Sequence, residues 1–391
     1  MTTTITQRAE RLDVRDGELP APSPVVPRRI LTHAELVSWL KETDPERLAE
    51  LWHAADEIRA ATVGDEVHLR GLIEISNHCV RQCGYCGLRA GNRSLARYRM
   101  TEEEIVGCAH DAREYGYGTV VLQAGEDYGL RTEWISDVVR RIKAETGLAV
   151  TLSLGERGED EFLAWREAGA DRYLLRFETS DERLYRAIHP AFRGRRSDRP
   201  ALLRSLRDMG YEIGSGVMVG IPGQTYDSLA CDIELFRGLD LDMIGIGPYI
   251  AHPETPLGKA ALDETAPCGD TPSEAPAPGA KDTTAADQAP NSELMVYKML
   301  ALTRLSCPQA NLPSTTALAT INKASGRELG LQRGANIVMP NLTPRRYRAM
   351  YEIYPAKACI DETAAECRFC LLGRIGSIGR RAGTGPGGRR G

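Results

Sequence analysis

Cys79, Cys83 and Cys86 stand close together in the stretch "SNHCVRQCGYCGLR". Thiolates at C-x3-C-x2-C spacing bind soft metals, and the question is which one. A structural zinc ion takes four ligands in a closed tetrahedron, so it needs a fourth donor such as His78 or a distant cysteine. A ferredoxin-type cluster also takes four cysteines and commonly starts from C-x2-C-x2-C. Three thiolates on a four-iron cluster leave one iron with an open site, which a small chelating ligand can fill. Spacing alone leaves zinc and iron open. A second set, Cys359, Cys367 and Cys370, has C-x7-C-x2-C spacing near the C-terminus. Ten cysteines without a secretory signal argue for reduced thiols, ligands or catalysis, with the cytoplasm as the expected location. Cys108 and Cys231 read as buried helix cysteines, and Cys268 as incidental. His53, His68 and His110 have no ligand spacing.

The elements that must position these cysteines alternate. Strand-like runs occur at "VHLRGLIEIS", "TVVLQ", "AVTLSLG", "RYLLRFE", "EIGSGVMVG", "MIGIGPYI" and "ANIVMP", with "NLPSTTAL" as a further candidate. Helical stretches such as "TEEEIVGCAHDAREYG" and "TEWISDVVRRIKAET" separate them. This alternation predicts βαβ units and a single α/β domain, a (β/α)8 TIM barrel over residues 63–350. The first cysteine set directly follows the first strand, at the C-terminal mouth where barrel enzymes build active sites. In the fourth run Arg172, Leu174, Arg176 and Glu178 share one face, and in the first Arg70, Leu72, Glu74 and Ser76 do. Charged residues on one face of a strand flanked by helices predict a polar lumen. Two capped helices fill residues 29–62, and residues 1–28 are expected to be a disordered leader. A flexible insertion is expected over 259–291, a further cysteine-bearing region over 351–378 and a disordered basic tail over 379–391. Net charge is −5 with both signs interspersed, which excludes a general affinity for nucleic acid, and no apolar run reaches membrane length.

The cysteine spacing, with Tyr85 just before the last thiol, resembles the radical S-adenosylmethionine superfamily. "VVLQAGED", "MVGIPGQT" and "IGIGPYIAHPETPL" resemble that superfamily's contacts to methionine, ribose and adenine. Together with "IEISNHCVRQCGYCGLR", "TLSLGE", "ADRYLLRFET" and "NIVMPNLTP", they closely resemble the FeFe-hydrogenase maturases of the HydE type, which group with biotin synthase and methylornithine synthase. The resemblance runs from about residue 60 to 372.

The resemblance implies a 4Fe-4S cluster on Cys79, Cys83 and Cys86 whose open iron binds S-adenosylmethionine. Reductive cleavage of that molecule would yield methionine and a 5′-deoxyadenosyl radical. Tyr85, Ala124, Glu126, Glu178, Arg199 and Met339 would surround S-adenosylmethionine, with Ala124 replacing an expected serine and removing one hydroxyl contact. Arg70, Arg172, Arg176, Thr315, Thr316 and Tyr351 would hold a small anionic substrate, in this family an iron–carbonyl–cyanide complex carrying cysteine. Cys359, Cys367 and Cys370 would hold an accessory cluster of two or four irons. The implied partners are an electron donor such as ferredoxin or flavodoxin and other hydrogenase maturases. A lysine mutase of the methylornithine-synthase kind and a non-catalytic iron–sulfur carrier are the alternatives; an acidic pair for a substrate ammonium would favour the mutase.

Overall fold

A computed structural model describes residues 30–262 and 287–389. The expected leader at 1–28, Cys268 and most of the expected insertion lie outside the described residues. Eight strands form: β1 (Glu66–Ser76), β2 (Thr119–Ala124), β3 (Ala149–Ser153), β4 (Arg172–Leu174), β5 (Glu212–Val219), β6 (Met243–Pro248), β7 (Ile337–Val338) and β8 (Arg381–Ala382). Seven of them make one parallel sheet in the order β6-β5-β4-β3-β2-β1-β7, and β8 pairs separately with the start of β1. The result is a curled half-barrel with helices over its outer face. Apolar side chains of β1 face those helices: Val67, Leu69, Ile73 and Ile75 are buried. "NLPSTTAL" forms no strand, but residues 311–314 make isolated parallel bridges to Met243 and Ile246 of β6 and to Ile337 of β7.

Local chemistry explains the elements. Thr32, Thr101 and Thr225 each close a capping box, and Asp44 caps the helix Pro45–Val63. β4 ends at Leu174, shorter than its alternating pattern predicts, and Glu178 beyond it takes a left-handed φ of 65°. Leu175 and Glu178 still donate to Gly214 O and Gly216 O, so the run follows β5 without a regular ladder. The expected insertion is anchored at both described ends. Residues 259–262 belong to the helix Pro256–Leu262, while Ala289 N donates to Gln224 O and Asn291 Nδ2 to Tyr249 O. Among the described residues no helix is long and apolar enough to cross a membrane.

The expected disordered tail is corrected. Residues 381–389 run across the N-terminal end of the sheet. Arg381 and Ala382 pair with Glu66 and Val67, and Gly383 N donates to Val67 O. Thr119 Oγ1 and Arg172 Nη2 donate to Pro386 O, while Arg70 Nη2 and Asn311 Nδ2 donate to Gly387 O. Arg389 reaches Asp240 and Asp242. Glycine permits this packing: a Cβ at Gly118 would fall 1.6 Å from Gly385 O. Low hydropathy signalled disorder, yet the tail's backbone carbonyls are what the buried arginines need.

Arg70 is fully buried, and burial followed by the neighbouring Arg172 charge pushes its pKa down to about 9. A chain truncated after Gly379 is therefore expected to lose roughly 3 kcal/mol of stability, because Arg70 loses its carbonyl partner. Chemical denaturation tests this, and an unchanged midpoint would show that the tail only decorates the barrel end.

Candidate active site

β1 delivers the cysteine loop. Asn77 Nδ2 ties the loop's start to Ala96 O and Met350 O. Arg97 staples the interior, donating to the carbonyls of Asn77, Leu88, Arg89 and Asn92 at 2.5–3.1 Å. Three neighbours hold the loop from outside: Val80 N donates to Glu126 O, Gly84 N to Ile188 O and Gly87 N to Ile353 O. Gly125 lets β2 approach this closely, since a Cβ there would lie 2.2 Å from His78 O and 2.8 Å from Cys79 Cβ.

Cys83 is buried, and Cys79 and Cys86 are partly buried. Desolvation raises all three thiols, Cys83 to about 12. Free thiols here stay protonated, and a bound cation is what would make three thiolates favourable. Among the described residues, the sulfurs of these three cysteines, alone or with His78, do not gather within 4.8 Å of one another. Thiolates around one tetrahedral zinc stand about 3.8 Å apart. The donor set therefore fits a larger, multi-iron group better than a single zinc ion.

The cysteines open onto a cavity of about 350 Å³. Its wall includes Tyr85, Ala124, Glu126, Glu178, Arg199 and Met339, the residues expected around S-adenosylmethionine. It also includes Arg176, Thr315, Thr316 and Tyr351 from the expected substrate set. Thr315 caps the helix Thr316–Ile321 through Leu318 N, and Gln123 Nε2 donates to Tyr351 OH at 3.2 Å. Arg70 and Arg172 are corrected: they line no part of this cavity. Arg172 pairs with Glu212 and Pro386 O, and Arg70 contacts Met243 Sδ and Gly387 O, both at the tail-covered end. Alternation put them on the lumen face but could not say how deep they lie.

Charge at the mouth forms a chain. Arg81 Nε donates to Glu126 at 2.7 Å and Arg81 Nη2 reaches Glu156 at 2.9 Å. Arg199 Nε donates to Glu156 at 2.9 Å, and its other nitrogens reach Arg176 O and His189 Nε2. Burial, then the Arg199 charge, holds His189 down to about 3, so it is the neutral acceptor of that contact. Arg176 pairs with Glu178 at 3.0 Å. Deeper in, Lys357 Nζ donates to Glu74 at 2.7 Å and to Tyr351 O at 3.1 Å. Arg81, Glu156, His189, Tyr354, Lys357 and Arg327 were not singled out from sequence. Arg81 lies inside the cysteine motif and Glu156 ends "TLSLGE", so both carried a signal; the others lie in segments without periodicity.

In the second cysteine set, Cys367 is buried and Cys370 exposed on the helix Ala364–Ser377, while Cys359 also lines the cavity. A hydrogen bond from Cys367, assisted by Arg327, holds the Cys359 thiol down to about 6. Arg374 lies against Cys370.

Residues 73–236 match the Radical SAM superfamily. The chain is 43% identical over 365 residues to the [FeFe] hydrogenase maturase subunit HydE of Thermotoga maritima, covering 93% of this chain and 95% of that one. It is 27% identical over 312 residues to the 3-methylornithine synthase of Methanosarcina acetivorans, covering 79% of each. Among solved structures, a methylornithine synthase superposes with a TM-score of 0.71 at 24% identity, over 92% of this chain and 96% of that one. The FeFe-hydrogenase maturase HydG superposes with a TM-score of 0.63 at 19% identity, over 80% of this chain and 65% of that one. These structural likenesses carry the fold alone. The identity over nearly the whole length carries more: the chain belongs to the HydE-type family of the radical S-adenosylmethionine superfamily and is a radical S-adenosylmethionine enzyme.

Proposed function

We propose that this enzyme acts in FeFe-hydrogenase maturation on a small anionic precursor, an iron–carbonyl–cyanide species carrying cysteine. The observation that carries the reading is the charge state of the cavity wall. Every carboxylate lining it, Glu74, Glu126 and Glu178, already has a cationic partner within 3.0 Å. A lysine substrate needs a free carboxylate for its side-chain ammonium, and this wall offers none. The mutase alternative is disfavoured on that ground, although its fold is the same.

Cys79, Cys83 and Cys86 would hold a 4Fe-4S cluster, with Tyr85, Ala124, Glu126, Glu178, Arg199 and Met339 around S-adenosylmethionine. When bound, that pair supplies one-electron cleavage of a carbon–sulfur bond, giving methionine and a 5′-deoxyadenosyl radical. The chain contributes position and insulation. Arg199 is oriented by Glu156 and His189, so its fixed positive charge lies beside the cysteine loop and would receive a carboxylate. The left-handed backbone at Glu178 turns its carboxylate onto Arg176 and into the cavity wall. Arg176, Thr315, Thr316 and Tyr351 would hold the substrate's anionic group. Residues 311–314 would serve as the eighth stave of the barrel, and the tail across the far end would keep water from the lumen. Cys359, Cys367 and Cys370 would hold an accessory cluster near the surface. A ferredoxin or flavodoxin would supply the electron, in a cytoplasmic setting alongside other maturases.

Reconstituted protein is expected to convert S-adenosylmethionine to 5′-deoxyadenosine. Loss of one ligand in Cys83→Ala should lower this at least about 100-fold, while Cys367→Ala retains most of it. Full cleavage by the Cys83 variant would sink the assignment, and turnover of L-lysine would restore the mutase. Because burial raises all three loop thiols, loading iron must displace their protons. Cluster assembly, followed by its charge-transfer absorption, should weaken as pH falls from 9 to about 6.5; a pH-independent yield contradicts this.

A further inference from the structure

Eight charged side chains line the cavity, and seven are neutralised there. Glu74 pairs with Lys357, Glu126 and Glu156 share Arg81, Arg199 also takes Glu156, and Glu178 takes Arg176. The eighth is Arg327, which has no carboxylate partner among the described residues. It is only 6% exposed, and its Nη1 is buried without any hydrogen-bond partner. Its Nη2 faces Cys359 Sγ at 3.7 Å. The adjacent Glu328 pairs with Arg374 through Oε1 at 2.7 Å and makes no ion pair with Arg327.

The fold holds this arginine in place. Arg327 is the second residue of the helix Gly326–Gln332, and its carbonyl accepts from Ser314 Oγ at 3.0 Å. Ser314 belongs to the segment that bridges β6 and β7 and continues into Thr315 and Thr316. Tyr354, also on the cavity wall, is buried close enough to feel the charges of both Arg327 and Arg176. The Cys359 sulfur meets Nη2, but Nη1 stays buried without a hydrogen-bond partner, and an arginine cannot escape that cost by losing its proton. Every other charge on this wall has had its partner supplied by the chain.

We propose that Arg327 is a substrate-binding residue that takes a carboxylate of the ligand in this cavity. The subsite is separate from the neutralised Arg176–Glu178 pair and from the tail-bound Arg70 and Arg172. The assignment rests on the anionic-substrate reading given above and adds a residue to the set named there. Through its second amino group, Arg327 also joins the bound carboxylate to Cys359, so the accessory cysteine set and the substrate share one cation.

The test is calorimetric titration of the S-adenosylmethionine-loaded holoenzyme with two thioether probes. S-methyl-L-cysteine carries the carboxylate, and 2-(methylthio)ethylamine lacks it. The parent enzyme is expected to prefer the acid. Arg327→Gln should weaken the acid at least about tenfold, the worth of one charge-assisted hydrogen bond, and leave the amine unchanged. A purely structural role would weaken both probes together and overturns the assignment. If the parent prefers the acid and Arg327→Gln keeps that preference, Arg327 is wrong and the anionic-substrate reading stands. If the parent prefers neither probe, both fall. Should the glutamine variant fail to fold, Arg327→Lys carries the test: weaker acid binding with the preference retained supports the assignment, and unchanged acid affinity overturns it.

Discussion

Arg81 donates to Glu126, reaches Glu156, and Glu156 in turn accepts from Arg199, all within 2.9 Å. This chain of four charges ties the cysteine loop to the ends of β2 and β3 and to the start of the helix Arg199–Asp208. Each charge is desolvated, so removing any one leaves its neighbour buried and uncompensated. The cysteine loop has little regular structure of its own. It keeps its shape because Arg97 collects its carbonyls and Arg81 anchors it to the sheet. A site that must hold three raised-pKa thiols in fixed positions needs that rigidity before any metal arrives.

The same accounting governs the opposite end of the half-barrel, with a different solution. Arg70 and Arg172 lie at the tail-covered end, away from the cavity lined by the cysteines. The tail answers with backbone carbonyls, from Pro386 and Gly387, that carry no side chain to be accommodated. Carbonyl oxygens satisfy guanidinium donors without bringing a second charge out of water, which avoids the desolvation cost of a buried ion pair. One strand thus carries two chemistries: Arg70 serves closure, and Glu74, two pleat repeats nearer the mouth, lines the cavity.

Much of this was legible in the sequence. The alternation of "RYLLRFE" and "VHLRGLIEIS" identified lumen-facing residues, and strand–helix rhythm gave the parallel α/β sheet. The cysteine spacing singled out the reactive loop. Depth along the barrel was not legible, because period-2 alternation fixes a face and says nothing of the distance to the mouth. Hence Arg70 and Arg172 were grouped with Arg176. "GRRAGTGPGGRRG" has almost no hydrophobic content and so reads as disordered, whereas residues 381–389 are held by hydrogen bonds to residues 76 to 317 positions away. Lys357 and Arg327 were invisible for a related reason. Their segments lack periodicity, and their importance lies in which charges remain unmatched after folding.

That remainder separates this enzyme from a structurally similar mutase. A methylornithine synthase shares the fold at a TM-score of 0.71, so the fold alone cannot distinguish substrates. The wall can. Lys357 on Glu74 and Arg176 on Glu178 cancel the two carboxylates that a substrate ammonium would seek, and Arg327 is left positive. A cation entering this cavity would find no free carboxylate and would meet a guanidinium with an unpartnered nitrogen. An anion would complete the wall's neutrality. On the proposed reading, the specificity of the site would lie in the one cation of the eight lining charges that has no carboxylate partner among the described residues, set by residues that approach the lumen from outside the regular strands.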